Sequence, residues 1–95
     1  MINKQIVIEH PIGVYSRPAA LLVQVASKFS SYIWIEKNEK RANAKSIMGL
    51  MSLVLCEGDK INLIADGTDE NIAIEAIEKL INSNFDEKMV EELTK

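Results

Sequence analysis

Residues 13–20 have the composition of a phosphate-binding segment. A glycine-containing loop runs into Ser16 and Pro18, and a stretch rich in Ala, Leu and Val follows. This order predicts the N-terminus of a helix, where free N–H groups and the positive end of the dipole attract anions. Arg17 adds a cation at the same point. The segment is therefore suited to hold a phosphate, but the side chain that precedes the predicted helix is the phenol of Tyr15.

A phenol is poorly suited to pass a phosphate to another acceptor. Its pKa of about 10 keeps it protonated at neutral pH, and phosphotyrosine is a stable ester. An imidazole, by contrast, offers an unprotonated nitrogen and becomes a good leaving group when protonated. We therefore expect the ring of Tyr15 to pack on the loop, with partner contact as a secondary role. The only histidine, His10, precedes Pro11 in a loop; it is expected to face solvent, and folding back towards Arg17 is the alternative.

Ser46 precedes the apolar stretch 47–55 and is a good candidate for a helix N-cap. A phosphate on this serine would face free N–H groups and the positive end of the helix dipole, so phosphorylation is compatible with folding. Ile47, Met48 and Met51 follow in a helix too short to bury every apolar side chain. They form either an exposed interaction surface or part of the core.

Composition argues against several other classes of protein. Ninety-five residues make one domain, and a net charge of −3 without a basic block argues against binding to nucleic acid or to an anionic membrane. No apolar run reaches the roughly 18 residues of a membrane span, and the N-terminus lacks the layout of a signal peptide. A single histidine and a single cysteine do not make a zinc site. We expect no metal and no cofactor, Cys56 as a small apolar packing residue, and a cytoplasmic location.

Hydrophobic periodicity predicts the order βαββαβα. The predicted strands are 2–8, 32–36, 41–44 and 60–65, and helices are expected to begin at Ser16, after Ser46 and after a cap at Thr68. Alternation in the second strand places Trp34 on the opposite sheet face from Ile33. The fold class is therefore α+β, a four-stranded antiparallel sheet with helices on one face. The domain is expected to span residues 1–85, and the tail 86–95 is either a short extra helix or disordered.

Two segments resemble the HPr family, the small phosphocarriers of the bacterial sugar phosphotransferase system. In that family a Gly-x-His-Ala-Arg-Pro-Ala pattern opens the first helix, and the His carries phosphate. Here Tyr15 stands at the His position, while Gly13, Arg17 and Pro18 match. Residues 43–53 resemble the regulatory serine segment of the family almost residue for residue, and the resemblance covers residues 2–84. Losing the phospho-His while keeping the serine is typical of the Crh branch, although that branch usually has Gln where this chain has Tyr15.

The resemblance implies an open-faced β-sandwich and a regulatory, non-enzymatic role in carbon catabolite repression. In this reading a serine kinase/phosphorylase phosphorylates Ser46, and the product binds a LacI-type catabolite control repressor as its corepressor. Other phosphotransferase-system proteins or metabolic enzymes are further partners, and the protein is a monomer or a homodimer. The docking face of the family corresponds here to Arg17, Ala20, Gln24, Ile47, Met48 and Met51. Two alternatives stay open: a phosphocarrier that uses His10 or another acceptor, and a binding module without phosphotransfer.

Overall fold

A computed structural model describes residues 1–9 and 16–93 of the chain, and these residues form four strands and four helices. The strands are β1 (Ile2–Val7), β2 (Tyr32–Lys37), β3 (Lys40–Asn43) and β4 (Lys60–Asp66). The helices are α1 (Ser16–Ala26), α2 (Ile47–Leu53), α3 (Glu70–Asn82) and α4 (Glu87–Leu93). Each predicted element is therefore present, with ends that move by one to a few residues, and a fourth helix follows the third.

The strands form one sheet in the order β1-β4-β2-β3, in which every pairing is antiparallel. Ile33 and Ile35 of β2 stand opposite Ala65 and Leu63 of β4, and all four side chains are buried. They face the apolar stripes of the helices, which contribute the fully buried residues Leu22, Val25, Leu50, Ile77 and Leu80. The predicted α+β class, with helices over one face of an open antiparallel sheet, is confirmed.

The outer face of the sheet carries an aromatic cluster. Tyr32 and Trp34 stack with their ring centroids 5.8 Å apart, and the guanidinium of Arg41 lies 5.3 Å from the centroid of Trp34. Ile64, the ladder partner of Trp34, is only 2% exposed, whereas Tyr32 is 69% exposed. The predicted alternation of β2 is therefore correct, and Trp34 packs on its own sheet.

The turn between β2 and β3 is tighter than the sequence predicted. Lys37 and Lys40, expected in the turn, are ladder partners, so that only Asn38 and Glu39 connect the strands. Both connecting residues have positive φ, 50° and 68°. A two-residue loop with two positive φ angles is the type I′ geometry, which matches the twist of the flanking strands.

The start of α3 corrects the predicted cap. Asp69, not Thr68, precedes the helix, and its carboxylate accepts the N–H of Ser30 at 2.8 Å and the N–H and hydroxyl of Ser31. The Ser31 hydroxyl is the main cause that lowers the pKa of Asp69, and the Ser30 N–H adds to it. Gly67 permits this approach, because a Cβ there would lie 2.5 Å from Ser31 Oγ. Asp69 thus joins the start of α3 to the loop before β2.

The loop after α2 corrects the prediction for Cys56, which is exposed and not packed in the core. The backbone of Val54 is left-handed, with φ 51°, and its carbonyl accepts a hydrogen bond from Lys37 Nζ at 2.7 Å. After this reversal Leu55 points inwards and Cys56 points outwards. Asp59 stabilises the loop by accepting from Lys37 Nζ and the Cys56 N–H, each at 2.7 Å. These two donors, Lys37 first, lower the pKa of Asp59.

A helical hairpin of α3 and α4 ends the described chain. Asn84 and Phe85, with φ of 57° and 60°, reverse the backbone after α3. Asp86 then starts α4, because its carboxylate accepts the N–H of Lys88 at 2.9 Å. Phe85 and Val90 are 6% and 4% exposed and belong to the core. Residues 87–93 are therefore helical and packed against the domain.

Candidate functional site

Ser46 is the N-cap of α2, as the sequence predicted. Its backbone is extended (φ −116°, ψ 115°), and its Oγ accepts the N–H of Gly49 at 3.2 Å. Its carbonyl accepts the N–H of Leu50 at 3.1 Å, which is the first bond of the helical ladder. Both oxygen atoms of Ser46 therefore help to begin α2.

The residues before Ser46 fix its position. The side chain of Asn43 accepts the N–H of Lys45 at 2.8 Å, and its carbonyl accepts the N–H of Ser46 at 3.0 Å. Lys45 reaches across to the segment after α1, where its Nζ donates to the carbonyl of Phe29 at 2.7 Å. The amino group of Lys45 thus ties this turn to the segment after α1.

The short helix α2 has one buried and one exposed apolar side. Leu50 and Leu53 face the core, at 0% and 7% exposure. Met48 is 79% exposed, and Ile47 and Met51 are 36% and 38% exposed. The structure therefore places these three side chains at the surface and not in the core, beginning directly after Ser46. Exposed methionines adapt to differently shaped partners, and clustered apolar exposure marks interaction sites.

The remaining predicted docking residues lie on α1, which packs against α2. Arg17 and Gln24 are exposed and Ala20 is half-buried, and their spacing of three and four residues puts them on one side of the helix. The structure therefore places the predicted docking residues on two neighbouring helices. We call these six residues the docking face: Arg17, Ala20, Gln24, Ile47, Met48 and Met51.

Sequence reasoning missed a contact between this docking face and the C-terminal helix. Glu87 of α4 accepts a hydrogen bond from Nε of Arg17 at 2.8 Å and another from Nη2 of the same guanidinium. The two side chains are 67% and 62% exposed, so the pair lies at the surface. The helical spacing of Met89, Val90 and Leu93 was a signal for α4, but nothing in the sequence specified its partner on α1.

Two residues considered in the sequence analysis, Tyr15 and His10, lie outside the described residues. The backbone of Ser16 begins α1. Residues 1–9 and 16–93 contain no group of three His, Cys, Asp or Glu side chains that could hold a metal ion. Within the same ranges, no helix has the length and apolar character needed to cross a membrane.

The sequence of this chain is similar to those of known HPr and Crh proteins. The family description "PTS HPr component phosphorylation site" matches residues 2–83. The HPr-like protein Crh of Halalkalibacterium halodurans is 52% identical over 77 residues, which cover 81% of this chain and 92% of the relative. The phosphocarrier protein HPr of Treponema pallidum is 42% identical over 88 residues, which cover 93% of this chain and all of that protein.

The fold comparison agrees with the sequence comparison. The crystal structure of HPr-C-His from Thermoanaerobacter tengcongensis superposes with a TM-score of 0.84 at 53% identity, covering 90% of this chain and 96% of that one. Crh and HPr relatives are thus both near in sequence, and neither of these proteins is a classical enzyme. The matched family covers most of the chain, including the cap at Ser46 and the helices α1 and α2. The chain therefore belongs to the HPr family.

Proposed function

We propose that this protein is a Crh-like regulator of carbon catabolite repression that is switched by phosphorylation of Ser46. The observation that carries the proposal is the position of Ser46, which caps α2 directly before an exposed apolar surface of Ile47, Met48 and Met51. A serine kinase would transfer the γ-phosphoryl group of ATP to Ser46 Oγ, releasing ADP and the hydroxyl proton. Its phosphorylase activity would transfer the phosphoryl group from Ser46 to inorganic phosphate, which gives pyrophosphate and restores the serine hydroxyl.

The physical basis of the switch is a change of charge beside an apolar surface. A phosphoserine carries about −1.5 to −2 charges and three acceptor oxygens at neutral pH. At the start of α2 this charge interacts favourably with the helix dipole, so the domain stays folded. A partner that contacts Met48 and Met51 would then also require a cation for the phosphate. This combination would distinguish the phosphorylated protein from the unphosphorylated one.

The proposed partner is a LacI-type catabolite control repressor, for which the phosphorylated chain acts as corepressor. The net charge of −3 supports binding to a protein instead of direct binding to DNA. The proposal places the protein in the cytoplasm, where the kinase and the repressor act. HPr of Thermoanaerobacter tengcongensis and Crh of Bacillus subtilis have been solved as dimers, the latter with swapped domains. A homodimer is therefore proposed as a second state of this chain, beside the monomer.

The competing function is that of a phosphocarrier, which the 42% identity to an HPr over its whole length favours. The phenol of Tyr15 at the phospho-His position opposes it, because a phosphotyrosine ester is a poor phosphate donor. A Tyr15→His variant makes this argument testable. It restores the imidazole while leaving Arg17 and Pro18 in place.

The experiment compares two phosphorylation reactions on the wild-type chain and on Tyr15→His. One reaction contains phosphoenolpyruvate and the first enzyme of the phosphotransferase system; the other contains the serine kinase and ATP. Mass spectrometry then locates the phosphate. We expect phosphate on Ser46 in both proteins from the kinase, and acid-labile phosphate only in Tyr15→His from the first enzyme. Acid-labile phosphate on His10 of the wild type would establish the carrier, and a chain labelled by neither reaction would favour a binding module without phosphotransfer.

A further inference from the structure

The C-terminal helix α4 lies beside the part of the docking face that α1 contributes. A groove separates the two helices. Its walls are formed by Arg17, Leu21 and Gln24 from α1 and by Glu87, Lys88, Val90 and Glu91 from α4. Two of the three predicted docking residues on α1 therefore line a groove whose other wall belongs to the same chain.

Apolar contacts hold α4 in this position. Val90 is 4% exposed and belongs to the core, and Leu93 is partly buried against it. The helix also has its own start signal in Asp86, whose N–H is in turn bound by Ser83 Oγ at 3.2 Å. Residues 84 and 85 reverse the chain so that α4 returns towards α1. Apolar packing and the turn at residues 84–86 therefore help to place α4, besides the ion pair to Arg17.

Two acidic residues of α4 line the groove beside Arg17. Glu87 accepts two hydrogen bonds from Arg17, and Glu91, one turn later, lines the same groove. The sequence of α4, EKMVEEL, contains three acidic residues and one basic residue. Nε and Nη2 of Arg17 both bond to Oε1 of Glu87, so the two donors that a phosphate or a carboxylate of a partner would use are already bound to a carboxylate.

We propose that α4 competes with partner proteins for the docking face, because Glu87 is paired with Arg17 in the free protein. A partner that binds Arg17 through an acidic group must first displace the Glu87 carboxylate. Since both side chains are largely exposed, the competition is weak and reversible. An exposed pair of this kind changes an equilibrium by a factor of about 1.5 to 5. The identity of the partner rests on the proposed function, but the ion pair between Arg17 and Glu87 does not.

The chain offers an internal control for the test, because Arg17 and Arg41 are its only arginines. Phenylglyoxal modifies guanidinium groups, and peptide mass spectrometry gives the modification rate of Arg17 relative to Arg41 in one sample. The full-length Glu87→Gln variant removes the negative charge that is paired with the guanidinium of Arg17. Glu92→Gln removes an exposed charge of the same helix that does not line the groove, and serves as the matched variant.

We expect the ratio of Arg17 to Arg41 modification to rise about 1.5-fold to fivefold in Glu87→Gln and to stay unchanged in Glu92→Gln. Val90→Ser, which removes the apolar anchor of α4, should raise the ratio as well. An unchanged ratio in Glu87→Gln, or an equal rise in Glu92→Gln, would overturn the proposal.

A second measurement separates this inference from the proposed function. The Ser46-phosphorylated forms are titrated with the repressor, and Glu87→Gln should bind more tightly than the wild type by the same factor. A repressor that binds none of the forms would refute the proposed partner, while the arginine modification ratio would still decide the role of α4. Equal affinity of wild type and Glu87→Gln would contradict competition at the docking face.

Discussion

The dual role assigned to Ser46 predicts that its contribution to stability can be separated from its contribution to signalling. Ser46→Ala removes the Oγ that accepts the N–H of Gly49. Loss of a serine cap costs about 0.5–2 kcal/mol in general. The 3.2 Å bond is at the long end of the usual range, so we expect about 0.5–1 kcal/mol here. This corresponds to a fall of about 2–8 °C in Tm for a domain of this size.

Ser46→Asp should behave differently. Asp caps helices about as well as Ser, and its charge interacts favourably with the start of α2. We therefore expect this variant to keep the wild-type Tm within about 4 °C, which is the shift that about 0.5 kcal/mol produces. Ser52→Ala is the matched control, because Ser52 lies exposed in the same helix and bonds only to the Gly49 carbonyl among the described contacts. Its Tm should also change by less than about 4 °C.

Urea denaturation at pH 7 and a thermal scan by circular dichroism measure these differences, and treatment with the serine kinase measures phosphate acceptance. Ser46→Ala should be less stable and unlabelled, whereas Ser52→Ala should be stable and labelled. A Ser46→Ala variant as stable as the wild type would show that the cap contributes nothing. A Ser46→Asp variant as unstable as Ser46→Ala would contradict the claim that this helix start tolerates a negative charge.

Three further variants test other contacts. Gly49→Ala should raise the free energy of unfolding by up to about 1 kcal/mol, because alanine is favoured over glycine in a helix. It should also slow the phosphorylation of Ser46, because the new methyl group lies 3.4 Å from Ser46 Oγ. Equal phosphorylation rates in the variant and the wild type would refute this slowing. Because the pKa of Asp69 is lowered in the folded state, its carboxylate stabilises the fold at pH values above the unfolded-state pKa. This stabilisation is lost as the pH falls through the folded-state pKa, so Asp69→Asn should show a flatter acid limb in a plot of stability against pH. An acid limb equal to that of the wild type would contradict the role of Asp69. Glu39→Gly relieves a positive φ in the type I′ turn and should raise Tm, which a thermal scan would check against the wild type.

The fold was predictable because its signals are local. Ala19, Leu22 and Ala26 follow helical spacing and are all fully buried, and β2 alternates as its sequence does. The cap at Ser46 was predictable for the same reason, since a cap depends on residues three positions away. These features arise within one or two turns of the chain, where spacing alone decides which side chains meet.

The missed features depend on contacts between distant residues. Thr68 is an acceptable cap by type, but Asp69 precedes α3, and its carboxylate bonds to Ser30 and Ser31 in the loop before β2. The exposure of Cys56 follows from the left-handed backbone at Val54. Lys37, at the end of β2, donates a hydrogen bond to the Val54 carbonyl and so stabilises this conformation. The pair between α4 and α1 spans 70 positions in the sequence, a separation at which periodicity carries no information.

The outer aromatic cluster and the exposed thiol determine how this protein can be observed in solution. Trp34, the only tryptophan, packs on the face of the sheet opposite the helices, so its fluorescence should report unfolding or association through that face. It should be insensitive to a partner that docks on α1 and α2. Cys56, the only cysteine, lies three residues after α2 and accepts a maleimide dye without any mutation. The natural sequence therefore offers two independent positions for optical probes, Trp34 on the outer sheet face and a dye on Cys56 just after α2.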